Sequence, residues 1–177
     1  MKILVLYATT EGQTRKIAEF VATQLKGDEV VLIDAADTRA KPGPEGFDAV
    51  FLAASLHAGQ YQHSIKIYAR DHHAKLNQMP SLFISVSLAA AGDDPEDLKG
   101  IADCAERFKA DTGWSGAQVR HVAGAFRFTK YDFFKGWVMR MIAKSKGVKV
   151  APHEDLELTN WKSLEADVAA FRAQLSS

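Results

Sequence analysis

Thr9, Thr10, Glu11, Gly12, Gln13 and Thr14 stand between an apolar opening run, Met1 to Ala8, and a helical pattern that carries Ile17, Val21 and Leu25 on one face. A hydroxyl-rich hexad at such a junction suits a phosphate cradle. The single glycine lets the backbone turn tightly, the amides of residues 10 to 14 point into the turn, and the threonine hydroxyls add donors at the positive end of the helix dipole. The second glycine and following Lys-Ser/Thr of a P-loop are missing, as are the three glycines of the dinucleotide fingerprint. The site therefore suits a phosphomonoester held by neutral donors, as on a mononucleotide such as FMN. The plainer alternative is that Thr9 or Thr10 only caps the helix.

The elements that would position this hexad alternate between apolar strands and helical periodicity, the pattern of a parallel sheet covered on both faces. Strands are predicted over Lys2 to Tyr7, Glu29 to Ile33, Ala49 to Ala54, Leu82 to Val86 and Val119 to Phe126. Helices are predicted around Ile17, Val21 and Leu25, over Ser64 to Leu76 and Glu96 to Asp111, and along Leu164, Val168, Phe171 and Leu175, the last capped by Thr159 or Asn160. Pro42, Gly43, Pro44 and Gly46 leave at most a short helix between strands two and three.

The expected architecture is α/β: one flavodoxin-like, doubly wound domain over residues 1–177 with five parallel strands in the order 2-1-3-4-5 and an insertion at about 127–150. In that order strands one and three are neighbours whose helices leave on opposite faces, which opens a crevice at their carboxyl ends. Ser55, Leu56, His57, Ala58, Gly59, Gln60 and Tyr61 follow strand three, and Ser87, Leu88 and Ala89 follow strand four, so these loops and the hexad would wall one crevice. Their composition suits a flat heteroaromatic ring whose polar edge bonds to backbone, with Tyr61 or His57 packed on a ring face. The alternatives are that Tyr61 covers the start of the next helix and that His57 is solvated.

Composition removes several function classes. An apolar fraction of 47% and a charged fraction of 25% are ordinary for a soluble protein, and the opening residues read as a strand rather than a secretory signal, so a cytoplasmic protein is expected. The lone Cys104 excludes an internal disulfide and a thiolate metal site, and Ala110 stands where a Cys-x5-Arg phosphatase loop needs arginine, which leaves a buried apolar thiol. Asp71-His72-His73 falls within a predicted helix where adjacent residues diverge, so solvated side chains are expected and no metal. A formal charge of zero gives no field to gather nucleic acid.

The Gly12-Gln13-Thr14 turn, the Ala54-Ser55 to Gly59-Gln60-Tyr61 loop, Met79-Pro80-Ser81, Ser85-Val86-Ser87, Ala123-Gly124-Ala125-Phe126-Arg127 and Thr159-Asn160-Trp161 together span most of the chain. On these residues it resembles flavodoxin-like FMN proteins, most closely the quinone-dependent protoporphyrinogen IX dehydrogenases of haem biosynthesis. Departures are Ile84 in place of an aromatic, Ser87 in place of Asn, and Asp93 and Asp94 in place of basic residues. Substrate identity depends most on that last loop.

Residues 127–149 hold seven basic side chains against one acid, Asp132. Phe133, Phe134, Trp137, Val138, Met141 and Ile142 recur there at helical spacing, with Arg127, Lys130, Lys135 and Arg140 around them. Such a segment suits a bilayer interface or the carboxylates of a hydrophobic substrate. It also suits packing on a second copy of the chain or on the domain's own core.

The resemblance implies an FMN enzyme that oxidises protoporphyrinogen IX to protoporphyrin IX and passes electrons to a membrane quinone, at or near the inner face of the cell membrane. The flavin would carry the redox chemistry, so no catalytic side chain is named. Other readings are an electron-carrying flavodoxin, a flavodoxin-fold NAD(P)H:quinone reductase, and a domain that has lost its flavin. Carriers of this family are typically acidic, and neutrality with a basic insertion counts against that reading.

Overall fold

The structure is a computed structural model that describes residues 1–37, 41–126 and 155–175. In chain order the elements are β1 (Lys2–Ala8), α1 (Gln13–Gln24), β2 (Glu29–Asp34), β3 (Ala49–Ser55), α2 (His63–Leu76), β4 (Ser81–Ser87), a 3-10 turn (Ala89–Ala91), α3 (Pro95–Thr112), β5 (Gln118–Ala123), β6 (Ala125–Phe126), β7 (Leu156–Glu157) and α4 (Trp161–Leu175). The five long strands are parallel and ordered β2-β1-β3-β4-β5, as the alternating pattern predicts.

Strands β3 and β4 are buried along their whole length, which is why they read as unbroken small and apolar runs rather than as alternating ones. Successive side chains of β1 still point to opposite faces. Ile3 and Val5 join Phe51, Ile17, Val21, Leu164, Val168 and Phe171 beneath α1 and α4, with Phe51 edge-on to Phe171 at 5.0 Å. Leu4 and Leu6 join Leu52, Ile65, Tyr68, Phe83, Phe108 and Trp114 beneath α2 and α3, where Phe83 and Phe108 stack at 4.7 Å. Asp94 caps α3 by accepting from the Glu96 and Asp97 amides, with Pro95 at the first helical position.

The fifth strand stops three residues before its predicted end. The Gly124 amide donates to the Ser87 carbonyl at 3.0 Å, while the Gly124 carbonyl accepts from the Leu158 amide at 3.0 Å, so the chain leaves the sheet there. A Cβ at this position would lie 3.3 Å from Val86 Cγ1, so the close approach favours glycine. The departing residues then pair antiparallel, Ala125 with Glu157 and Phe126 with Leu156. This places the two ends of the intervening segment side by side. Arg127, Lys130, Lys135, Trp137 and Arg140 lie outside the described residues.

At the other end of the sheet, the Arg172 guanidinium (2.8 Å) and the Met1 amino group (2.9 Å) converge on the Asp28 carboxylate, whose side chain is 3% exposed. The Arg172 hydrogen bond, followed by that of the Met1 amino group, holds the Asp28 carboxyl below its ordinary value of 3.8. A lowered carboxyl stabilises the fold above that ordinary value, and the contribution disappears as pH falls through the folded value. Asp28→Asn should therefore melt at a lower temperature than wild type at pH 7. The gap should close below about pH 4 in thermal melts followed by circular dichroism.

Candidate functional site

A cavity of about 460 Å³ opens at the carboxyl ends of β1, β3 and β4. Thr9, Glu11, Gln13 and Thr14 line one end of it. Ser55 to Gly59, Val86 to Ala89, Ile101, Gly124 and Ala125 line the rest.

The hexad forms a turn that ends in the left-handed Gly12 (φ 93°), the residue that starts α1. Thr9 Oγ1 accepts from the Gly12 amide at 2.9 Å, so this hydroxyl closes the turn. The first helical bond runs from the Lys16 amide to the Gly12 carbonyl, and the Gln13, Thr14 and Arg15 amides consequently lack i−4 acceptors within the helix. Thr14 is 1% exposed, and its Oγ1 is the one buried side-chain nitrogen or oxygen among the described residues without a hydrogen-bond partner. A buried hydroxyl left unpaired costs about 1–3 kcal/mol. Its place in the cavity wall, beside the first-turn amides, suits it to donate to an anion. Among the described residues, no lysine or arginine lines the cavity. The neutral phosphate cradle read from the sequence therefore fits the residues present.

Two glutamines hold the hexad in place, and neither role is apparent from the sequence. Gln62 donates to Thr10 Oγ1 at 3.0 Å, accepts from the Ser55 amide at 3.1 Å and also bonds Ser55 Oγ, which ties the hexad to the end of β3. Thr10 is thereby a brace rather than a cavity wall. Gln13 donates to Thr159 Oγ1 at 2.9 Å, and Thr159 Oγ1 donates onward to the Ala123 carbonyl at 2.7 Å. Asn160, not Thr159, caps α4, accepting from the Ser163 amide at 3.1 Å.

The loop after β3 turns through two left-handed residues, Ala58 (φ 47°) and Gly59 (φ 76°), and reciprocal 2.9 Å bonds between the backbones of His57 and Gln60 close it. Alanine in that conformation is strained by about 1 kcal/mol, so Ala58→Gly should stabilise the protein by up to that amount in urea melts. The turn sends its two halves to different sides. Leu56, His57, Ala58 and Gly59 face the large cavity, whereas Gln60 and Tyr61 line a second one of about 220 Å³.

Tyr61 therefore departs from the expected ring contact. It packs edge-on against Phe83 (5.0 Å) and Phe108 (5.2 Å), and its hydroxyl is 2.8 Å from Ser85 Oγ. Burial pushes its phenol up to about 12, only partly offset by the Ser85 hydrogen bond. His57 is the one aromatic side chain in the large cavity among the described residues. The walls available to a planar ring are otherwise aliphatic: Leu56, Val86, Leu88, Ala89, Ala125 and Ile101. Ile101 comes from the middle of α3, where sequence reading sees only a core-facing helical residue.

Ser87 braces the third wall, with Oγ accepting from the Ala90 amide at 3.2 Å. Cys104 is buried but not in apolar surroundings, because Arg107 Nη2 lies 3.0 Å from its sulfur. His73 bonds the Arg70 carbonyl through Nδ1 at 2.7 Å and His72 packs on Tyr68, so neither is simply solvated. The described residues bring no three His, Cys, Asp or Glu side chains together for a metal. None of their helices is long and apolar enough to cross a membrane.

A doubly wound sheet with a mononucleotide cradle at the switch point between β1 and β3 defines the flavodoxin class. The chain belongs to the flavodoxin domain family, whose model matches residues 4–151. Within it, the chain is 29% identical over 166 residues to the protoporphyrinogen IX dehydrogenase (quinone) of Escherichia coli, covering 93% of this chain and 91% of that one. It is 30% identical over 176 residues to the enzyme of the same name from Leishmania major, covering 97% and 75%. Oxidised flavodoxin 1 from Bacillus cereus superposes with a TM-score of 0.56 over 98% of both chains at 15% identity, which reports the shared fold.

Proposed function

We propose that this protein is an FMN-dependent oxidoreductase that converts protoporphyrinogen IX to protoporphyrin IX and delivers the electrons to a quinone. The unpartnered Thr14 hydroxyl at the start of α1, in a cavity whose described walls hold no lysine, carries the cofactor half of this reading. Similarity to dehydrogenases of that name along more than nine-tenths of the chain supports the substrate half.

When bound, FMN supplies the redox chemistry. The chain supplies position and environment. Thr14 Oγ1 and the first-turn amides of α1 hold the phosphate, the Gln62 and Gln13 braces fix the turn that presents them, and Leu56, Leu88 and Ile101 keep water from the ring. The backbone amides of residues 58, 59, 88 and 89, which line the cavity, would bond the polar ring edge. Glu11 and His57 are the titratable side chains of the described wall, and the reading requires neither as an acid or base. Quinone access fits a peripheral site at the inner membrane face, supported by Trp137 among Lys135 and Arg140 in the sequence.

Purified protein should be yellow and release FMN by absorbance and mass. Colourless protein that FMN cannot reconstitute would overturn the cofactor assignment. Anaerobic protoporphyrinogen IX with a quinone should gain porphyrin fluorescence only with the enzyme present. A rate equal to spontaneous oxidation would leave the carrier reading in its place.

A further inference from the structure

The second cavity, about 220 Å³, sits on the far side of the Ala58-Gly59 turn from the large one. Ala58 and Gly59 line both, so one tight turn separates the two spaces. The smaller cavity is floored by Tyr61 and Phe108, and its polar rim is Gln60, Lys66, Cys104, Arg107 and Asp111.

Charge bookkeeping around that rim leaves one cation over. Asp111, four residues after Arg107 on α3, is where a helical ion pair would form. Lys66 already holds Asp111 at 2.6 Å, across from α2. The two other acids flanking Arg107 on α3 are also engaged, Asp103 by Lys99 (2.6 Å) and Glu106 by Lys109 (3.1 Å). Among the described arginines, Arg15, Arg70, Arg120 and Arg172 each pair with a carboxylate, and Arg107 does not. Its one hydrogen bond is to Cys104 Sγ at 3.0 Å, a weak acceptor that fixes the guanidinium against the turn. A Cβ on Gly59 would lie 3.9 Å from Arg107 Nη2, which measures how near that cation comes to the wall of the large cavity.

We propose that Arg107, seated beside the Ala58-Gly59 turn, is a carboxylate-binding residue that receives a propionate of the tetrapyrrole substrate as it lies across the mouth of the flavin cleft. The proposal rests on the substrate reading above. A guanidinium matches a carboxylate through two parallel N–H donors, a planar fit that a lysine does not offer. Lys66 is already neutralised by Asp111, so Arg107 carries the uncompensated charge. Cys104 acts here only as the rest that orients the guanidinium.

The test uses FMN-loaded protein, with protoporphyrin IX and its dimethyl ester as stable probes followed by fluorescence titration. Wild type should bind the diacid more tightly than the ester. Arg107→Gln should weaken the diacid about tenfold and leave the ester unchanged, because an ionic hydrogen bond is lost only where a carboxylate exists. Arg107→Lys should recover only part of the loss. Equal diacid affinity in wild type and Arg107→Gln would overturn the proposal while leaving the substrate reading intact. A parallel loss for diacid and ester would assign Arg107 a structural role and overturn it as well. Failure of wild type to bind either probe would remove the substrate reading, and this inference with it.

Discussion

Thr14→Val should weaken FMN binding about ten- to hundredfold, the range of a lost hydrogen bond to a charged group, while leaving the apoprotein at least as stable as wild type. The two halves of this result have opposite signs for one reason. In the protein alone the Thr14 hydroxyl is buried without a partner, so replacing it with a methyl of similar shape removes a desolvation penalty. With FMN bound as proposed, the same hydroxyl would donate to a phosphate oxygen at the positive end of α1, and valine could not. Thr14→Ser keeps the donor and gives up a methyl group, so it should retain affinity within a few-fold but lose about 1 kcal/mol of stability. Flavin fluorescence quenching and urea melts on the two variants read both effects. A Thr14→Val protein that keeps its flavin and melts earlier would place the hydroxyl in the fold rather than in the cradle.

The parts legible in the sequence are those written in local pattern. Leu4 to Leu6 and Val50 to Leu52 are apolar without interruption because their strands are covered on both faces, and the edge strand β2 carries a run of the same kind, Val30 to Ile33, so the pattern marks a strand without telling edge from centre. The hexad is legible because its glycine and hydroxyls act within six residues of one another. Residues whose roles depend on distant partners are not. Gln62 meets Thr10 across 52 positions and Gln13 meets Thr159 across 146, and glutamine carries no local signature of either brace. The end of β5 is set at Gly124 by Val86 and Ser87 on the neighbouring strand, so an apolar run continuing to Phe126 gives no sign of it. The side on which Tyr61 falls is hidden for a related reason. An aromatic two residues past Gly59, the last residue of the loop to line the cleft, can fall on either side of it, and two successive left-handed residues direct it inward.

That inward placement makes Tyr61 a support for the cleft, and the support can be measured. Tyr61→Ala should destabilise the protein by about 3 kcal/mol, since the ring fills the space between Phe83 and Phe108 and half-buried aromatic truncations fall at the low end of the core range. Tyr61→Phe keeps the ring and should cost about 1 kcal/mol, the loss of the hydroxyl's bond to Ser85. Ser85 is fully buried, so the added change Ser85→Ala should return part of that cost by removing a stranded hydroxyl. A pH series separates the phenol from the ring. Its value is raised from the ordinary 10 to about 12, so the folded state favours the protonated form. That preference is fully present below pH 10 and fades as pH climbs towards 12, and the stability gap between wild type and Tyr61→Phe should narrow over the same interval. FMN affinity supplies the second axis. Tyr61→Phe should hold it within about twofold, because the hydroxyl faces Ser85 rather than the cleft, whereas Tyr61→Ala should weaken it by loosening the turn at Ala58 and Gly59. If Tyr61→Phe instead shifted the flavin absorption band and released FMN at unchanged melting temperature, the ring would belong on the flavin and the turn would have to run the other way.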